Sequence, residues 1–471
     1  MIGRRVAVVG GGLAGITAAI DLCEAGAGVT LLEARPRLGG ATSSFSRGGL
    51  TIDTGQHVFL RCCTAYRELL ARLGMTGSVR LQDRFDVTVL APGRQARLRR
   101  SGLPAPLHLA RALAGYDLLP VTERIRVARA ALSMRLLRPE APGPGGQRLG
   151  DWLARRGQSE RARRRLWDLF IVSALNIAGD DADLGLAATV IKTGLLGAAG
   201  AADIGVPAVP LGTLHGEASA ALLGRLGARV VTGAKATAIE PLPGGALRVR
   251  GADGTVLAEA DGVVLAVPAQ QAARLAPAAA LPDRWKGLSV SPIVNVHVIY
   301  ARRVTRLPFA AAVDSPVQWI FDKTRVAGLD RGQYLAVSLS AADQYVDVPV
   351  SRLREQFLPA LERLFPLAAD TEVADFFVTR ERAATLRQTA GCGALRPAAQ
   401  TPLPGLVLAG AWTDTGWPDT MEGAVRSGHT AAQALITAEP AHLVRAAEPV
   451  APGGGTGQQP AGALPQAGAA S

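Results

Sequence analysis

The chain has 471 residues, 48% of them apolar, with 51 basic and 39 acidic side chains and a formal net charge of +12. Such a length outgrows one simple core and predicts two intertwined domains, with enough apolar material to fill both. The positive charge would suit a polyanion, yet apart from Lys192, Lys235, Lys286 and Lys323 it is all arginine in an alanine- and glycine-rich background. No aromatic-interleaved RNA motif or zinc spacing accompanies it, so nucleic acid is excluded from the expected partners.

Residues 4–34 read as strand, glycine turn, helix and second strand ending on an acid. Gly10, Gly12 and Gly15 fit G-x-G-x-x-G. The first permits the tight turn, the second lets backbone approach a pyrophosphate, and the third lets the helix pack on the sheet. Leu13 and Ala14 open that helix, predicted over 13–25, whose N-terminal amides and positive dipole end aim at the same pyrophosphate. Glu33 stands where an acid accepts hydrogen bonds from a ribose diol; it also repels a 2′-phosphate, which disfavours NADP as the resident ligand.

Residues 103–140 are predicted helical, with Leu107, Leu109, Leu113, Leu118 and Leu119 set among arginines, until the Pro-Gly-Pro-Gly-Gly run at 142–146 breaks the pattern. A second helical block covers 147–200, and its arginines at 161 and 163–165 read as a solvated face. Around 228–268 the period changes to two, predicting strands parted by Gly-Gly and Asp-Gly turns. Strands follow at 293–300 and 334–339, a helix at 350–365, an apolar strand at 404–411 and a closing helix at 421–437. From 439 the chain turns to Ala, Pro, Gly and Gln, which predicts a disordered tail over 439–471. Cys23, Cys62, Cys63 and Cys392 form neither C-x-x-C nor a metal-ligand pattern, and Cys62 and Cys63 are adjacent, an awkward geometry for a mutual disulfide. A reducing cytoplasm is therefore expected. The N-terminal apolar run leads straight into the glycine turn and does not read as a signal peptide. No apolar stretch reaches the roughly 18 residues of a spanning helix, so membrane contact is expected to be peripheral, on the inner face.

A nucleotide-binding strand at one end, a second glycine-marked strand–helix unit at the other and an inserted middle suit a two-domain flavoprotein. Five segments make the chain resemble the amine-oxidase and phytoene-desaturase-like flavoprotein superfamily, and within it the hydroxysqualene dehydroxylases. They are Val-Val-Gly-Gly-Gly-Leu-Ala-Gly (8–15), Leu-Glu-Ala-Arg-Pro-Arg-Leu-Gly-Gly (32–40), Asp-Thr-Gly-Gln-His-Val-Phe (53–59), Ser-Pro-Ile-Val-Asn-Val-His-Val-Ile-Tyr (291–300) and the 408–428 segment Leu-Ala-Gly-Ala-Trp-Thr-Asp-Thr-Gly-Trp-Pro-Asp-Thr-Met-Glu-Gly-Ala-Val-Arg-Ser-Gly. The first two are shared by the whole superfamily; the last is the specific one.

The resemblance implies FAD. Glu33, followed by Ala34, would bind the adenosine ribose, while Arg35 and Gly39–Gly40 would lie along the pyrophosphate and ribityl chain. Ala236 would meet adenine through its backbone, and Gly55, Gln56 and His57 would pass near the isoalloxazine. The Met421 amide, preceded by Thr420, would point at the pyrimidine end, where a helix dipole favours negative charge on reduced flavin. Two departures stand out: Ala41 replaces an arginine common after the glycine pair, and Ala411, after Gly410, replaces an acid that binds ribityl hydroxyls, with Asp414 as a candidate substitute. In amine oxidases the strand matching 291–300 presents a lysine beside the flavin. Asn295 takes that register here, and no lysine is expected to serve locally. Asn295 and His297 share one face of the strand and are candidates for the substrate pocket with Trp417, although a satisfied strand amide, a seam histidine and a core tryptophan are the plainer readings.

The expected fold is α/β: a Rossmann-like FAD domain from 1–80, 206–285 and 376–438, with an interleaved α+β substrate domain from 81–205 and 286–375. The implied reaction is reductive removal of the allylic hydroxyl of hydroxysqualene to give squalene, for hopanoid or related triterpenoid synthesis. Hydroxide leaves poorly, so a proton donor is needed, with His57, Asp53 and Asp419 as candidates. Electrons would come from an external donor such as NAD(P)H. The rival readings are a carotenoid-type desaturase and a non-redox prenyl-binding module of the same fold. The arginine-bearing 103–140 helices suit either a membrane surface or an ordinary charged outer face.

Overall fold

The computed structural model of the chain describes residues 1–137, 146–280, 285 and 287–438. The expected tail, and all but Gly146 of the expected break at 142–146, lie outside them. Strand β1 (Arg5–Val9), helix α1 (Leu13–Glu24) and strand β2 (Gly28–Glu33) form where the spacing predicts. They belong to a five-stranded sheet that runs Arg229–Thr232, β2, β1, Gly262–Leu265 and Leu406–Leu408, every neighbour parallel. Its valines and leucines are covered on both faces, as a parallel sheet requires. Because Gly262–Leu265 pairs with both β1 and Leu406–Leu408, the two ends of the chain meet in one sheet.

The middle of the chain builds the second layer. Helix is shorter over 103–140 than predicted: a turn at Leu107–Leu109, a short helix Ala110–Ala114, then a break before helix α2 (Val121–Leu136). Pro120 explains the break, since it caps α2 in an extended conformation (ψ 153°) and its ring is incompatible with the interior of a helix. Further helices, among them Leu149–Arg155, Asp168–Leu175 and Leu184–Thr189, complete the layer as expected.

That layer lies against a seven-stranded sheet whose longest strands are β3 (Val290–Tyr300), β4 (Gln333–Leu339) and the edge strand β5 (Val373–Leu386), in the order β5, β3, β4, Trp319–Asp322, Phe309–Ala312, Asp86–Ala91 and Arg94–Arg99. Val294, Val296 and Val298 of β3 face the amphipathic helix Val350–Leu364, packing with Leu353, Phe357 and Leu361. The opposite face carries Asn295, His297 and Ile299, and Ile299 packs with Ile52, Tyr334 and Phe377.

The strands at 86–99, 309–322 and 373–386 are additions to the sequence reading. Three expected domain edges, at 80, 206 and 376, also fall inside strands: Val79–Leu81 pairs with Ile204–Pro207, and β5 pairs with β3 from Val373 to Leu386. Residues 376–386 therefore travel with the seven-stranded sheet. Helix α3 (Met421–Thr437) closes the fold against α1, where a Cβ on Gly428 would lie 2.4 Å from the Ala14 carbonyl oxygen. Its Glu422 is buried and accepts hydrogen bonds from the Ala65 and Tyr66 amides at 3.2 and 2.8 Å.

Candidate active site

The glycine turn is bare because nothing larger fits it. Gly10 sits at φ +111°, and a Cβ there would lie 2.2 Å from the Ala266 carbonyl oxygen; on Gly15 it would lie 1.9 Å from the Gly10 oxygen. Gly12 differs, for its Cβ would meet only the Gly40 Cα, at 4.0 Å. The turn and the Gly39–Gly40 segment thus run backbone to backbone along one side-chain-free channel wall, a Cβ on Gly40 lying 2.9 Å from the Gly12 Cα and Gly39 N–H donating to Gly11 O at 2.8 Å. Helix α1 opens into it without a side-chain cap, so the buried amides of Leu13, Ala14 and Gly15 form a ready anion site.

Glu33 is buried at one end of this channel. Its carboxylate accepts from Gly11 N–H at 2.6 Å and Arg35 N–H at 2.8 Å, and keeps lone pairs for a sugar diol. Ala34 and Arg35 are exposed beside it, with the Arg35 guanidinium donating to Gly40 O at 3.3 Å. Ala236 begins the strand Ala236–Pro241 at a bulge, two residues after Ala234, whose N–H donates to Glu33 O. Ala41 is exposed and accepts from Thr54 Oγ1. At the far end, Thr420 caps α3 by accepting from Gly423 N–H, which leaves Met421 as the first helical residue. Gly410 N–H donates to Ser427 Oγ at 2.8 Å. The Ala411 carbonyl accepts from Arg396, a buried guanidinium that also holds the Thr413 and Trp417 carbonyls. Burial pulls Arg396 below its ordinary range. Asp414, the candidate substitute for the missing acid, is exposed, and its carboxylate accepts from Gly416 N–H within its own turn.

Gln56 Nε2, His57 Nδ1 and Asn295 Oδ1 are buried without a partner. Natural proteins rarely leave such groups unpaired, so the channel and these orphaned atoms together fit a dinucleotide and a polar substituent beside it.

The proposed proton donors separate. Asp53 is only 2% exposed and its carboxylate is fully engaged: Oδ1 accepts from Ser44 Oγ at 2.7 Å and Leu211 N–H at 2.9 Å, and Oδ2 pairs with Lys323 Nζ at 2.7 Å. It is a structural anion, and the expectation of a donor there is corrected. Asp419 accepts from Leu386 N–H at 2.6 Å, and burial pushes its carboxyl up. Burial pushes the His57 imidazole down, and its Nδ1 is free.

On β3 the seam reading of His297 holds. Its Nδ1 and Nε2 engage Tyr334 Oη at 2.7 Å and Thr379 Oγ1 at 2.9 Å, its ring stacks on Phe377 at 4.4 Å, and burial drives it down to about 3. Asn295, 1% exposed, lies on the same face. The Trp417 ring lies 4.6 Å under the Arg426 guanidinium on α3. Trp412 is core, stacked on Trp285 at 5.0 Å.

Lys323 was missed. It follows the strand Trp319–Asp322, its N–H donates to Tyr334 O, and the antiparallel sheet thereby carries it to the site-facing side of β3. A lone lysine closing an aromatic strand was the available signal. A lysine does reach this side of the sheet, because sheet pairing rather than sequence distance sets the neighbours, but its ammonium is committed to Asp53.

Residues 13–436 match the family described as flavin containing amine oxidoreductase. A hydroxysqualene dehydroxylase of Rhodopseudomonas palustris is 31% identical over 92% of this chain and 99% of its own length. A zeta-carotene desaturase of a Synechocystis strain is 25% identical over 92% of this chain and 97% of its own. The solved structure of cyclohexylamine oxidase from Brevibacterium oxydans shares the fold, with a TM-score of 0.68 and 20% identity over 92% of this chain and 98% of that one. With a side-chain-free dinucleotide channel to match, the chain belongs to the flavin-containing amine oxidoreductase family, as an FAD-dependent oxidoreductase of the hydroxysqualene dehydroxylase group.

Proposed function

We propose that this enzyme reduces hydroxysqualene to squalene, for hopanoid or related triterpenoid synthesis. The full-length relationship to a hydroxysqualene dehydroxylase carries this reading. The site supports it: the face of β3 is hydrocarbon with a neutral amide at Asn295 and a neutral imidazole at His297, and Lys323 is neutralised by Asp53. A developing allylic cation meets no free positive charge among these groups.

Bound and reduced, FAD supplies hydride. The chain's own residues do the rest. Leu13, Ala14 and Gly15 amides would hold the pyrophosphate and Glu33 the ribose, and the α3 terminus at Met421 would favour negative charge at the flavin's pyrimidine end. The sheet excludes water, which strengthens charge stabilisation at the reacting carbon. Water leaves once the hydroxyl is protonated. Asp419, whose carboxyl burial holds up in its protonated form, is the candidate for that proton; burial favours the neutral imidazole at His57, and His297 has both ring nitrogens committed. Hydride would take the place of the departing water at carbon, and the cycle would draw its two electrons from an external reductant such as a reduced nicotinamide. The reading places the enzyme in the cytoplasm, at the inner face of the membrane.

Anaerobic incubation of the reduced holoprotein with hydroxysqualene, followed by mass spectrometry, tests it. Squalene should form with one flavin oxidised per product. Flavin turnover on phytoene or on an amine, without squalene, would overturn the assignment.

A further inference from the structure

Six of the ten exposed large apolar side chains among the described residues fall in one segment: Leu103, Leu107, Val121, Ile125, Leu132 and Leu136, between 49% and 82% exposed. Four of them lie on α2 at i, i+4, i+11 and i+15, which at about 100° per residue confines them to an arc of about 60°. The opposite side of the same helix buries Val127, Ala130 and Met134. Helix α2 is therefore apolar on two faces, and one of them is left uncovered by the described residues.

The charges around the exposed face are of one sign. Arg129 and Arg135 flank the stripe on either side, and Arg111 and Arg126 are exposed nearby. The one acid of α2, Glu123, is turned inward to accept from Ser159 Oγ at 2.8 Å. An apolar stripe edged by arginines is the pattern of a helix lying in the plane of an anionic bilayer, its hydrocarbon among acyl chains and its guanidinium groups on phosphate.

We infer that α2 and the Leu103–Leu107 turn form the surface by which this protein rests on an anionic phospholipid bilayer. The buried side of α2 belongs to the same apolar cluster as Phe309 and Phe321 of the seven-stranded sheet, with Trp319 packed against it. Lipid surface and sheet thus lie on two sides of one hydrocarbon layer. That this layer delivers a triterpenoid to the site rests on the proposed function; the docking itself does not.

Flotation of the holoprotein with phosphatidylcholine vesicles containing about 30% phosphatidylglycerol should recover most of it with the lipid, and raised salt should weaken that recovery. Pure phosphatidylcholine should recover several-fold less. Ile125→Glu with Leu132→Glu should lower the recovery at least tenfold while melting temperature, flavin content and turnover of detergent-dispersed substrate stay unchanged. If that pair melts early, Arg129→Gln with Arg135→Gln carries the test, with a smaller loss confined to anionic vesicles. Equal recovery of variant and parent, no recovery of the parent, or a parent dimer that the Glu pair splits would overturn the inference. No substrate enters the vesicle measurement, so an error in the assigned reaction leaves its outcome untouched.

Discussion

Lys323 Nζ lies 2.7 Å from Asp53 Oδ2, joining residues 270 apart in sequence, and both side chains are buried. The pair pins the cofactor-side strand Leu50–Asp53 to the turn between the Trp319–Asp322 strand and β4. Lys323→Met should cost about 3–5 kcal/mol, because it strands a buried carboxylate. Lys323→Met combined with Asp53→Asn should recover most of that loss. Urea unfolding at pH 7 measures both; equal stability of the single and double variants would show that the pairing carries no weight.

The glycines of the nucleotide turn should separate fold from ligand. Gly12→Val projects into the open channel and meets no protein atom closer than 4.0 Å at Cβ, so the protein should fold and purify colourless. Gly15→Ala drives a Cβ to 1.9 Å from the Gly10 oxygen and should misfold or lose several kcal/mol. Circular dichroism and the flavin absorbance ratio distinguish the two outcomes.

His297 makes stability pH-dependent. Burial lowers it to about 3 in the folded protein, against an ordinary value near 6.5, so the unfolded chain binds the proton first. Its contribution is complete above about pH 6.5 and is lost as pH falls from there towards 3, at up to about 1.4 kcal/mol per pH unit. His297→Gln lacks that loss, so the stability gap between parent and variant should narrow below pH 6.5. A gap that widens on acidification would contradict a neutral imidazole.

Asn295 offers a different signature. Its Oδ1 is buried without a protein partner, so Asn295→Leu should leave stability unchanged or raise it by about 1 kcal/mol. If the amide contacts the substrate hydroxyl, kcat/KM should fall about 10–100-fold, equivalent to ~1.4–2.7 kcal/mol. Steady-state kinetics beside thermal melts read both at once.

The nucleotide turn, Glu33, the closing helix and the strands at 229–265 were legible in sequence because each is a local pattern. Glycine spacing, a period of two and a helical run are written within a few residues. The long strand β5 was not legible: its Arg-Glu-Arg stretch interrupts any alternation, and its ten-register pairing with β3 is a long-range fact. The same holds in the site. Asp53 looked like a proton donor until its three partners arrived from Ser44, Leu211 and Lys323.

By itself, the order of residues determined that a dinucleotide site opens the chain, that a helix closes it, and that Asn295 and His297 share a strand face. Tertiary structure decided what those faces meet: His297 is neutral because β4 and β5 enclose it, and Lys323 is silent because Asp53 lies against it. Periodicity specifies which side chains point together, whereas the charge they carry depends on the solvent and partners that packing leaves them.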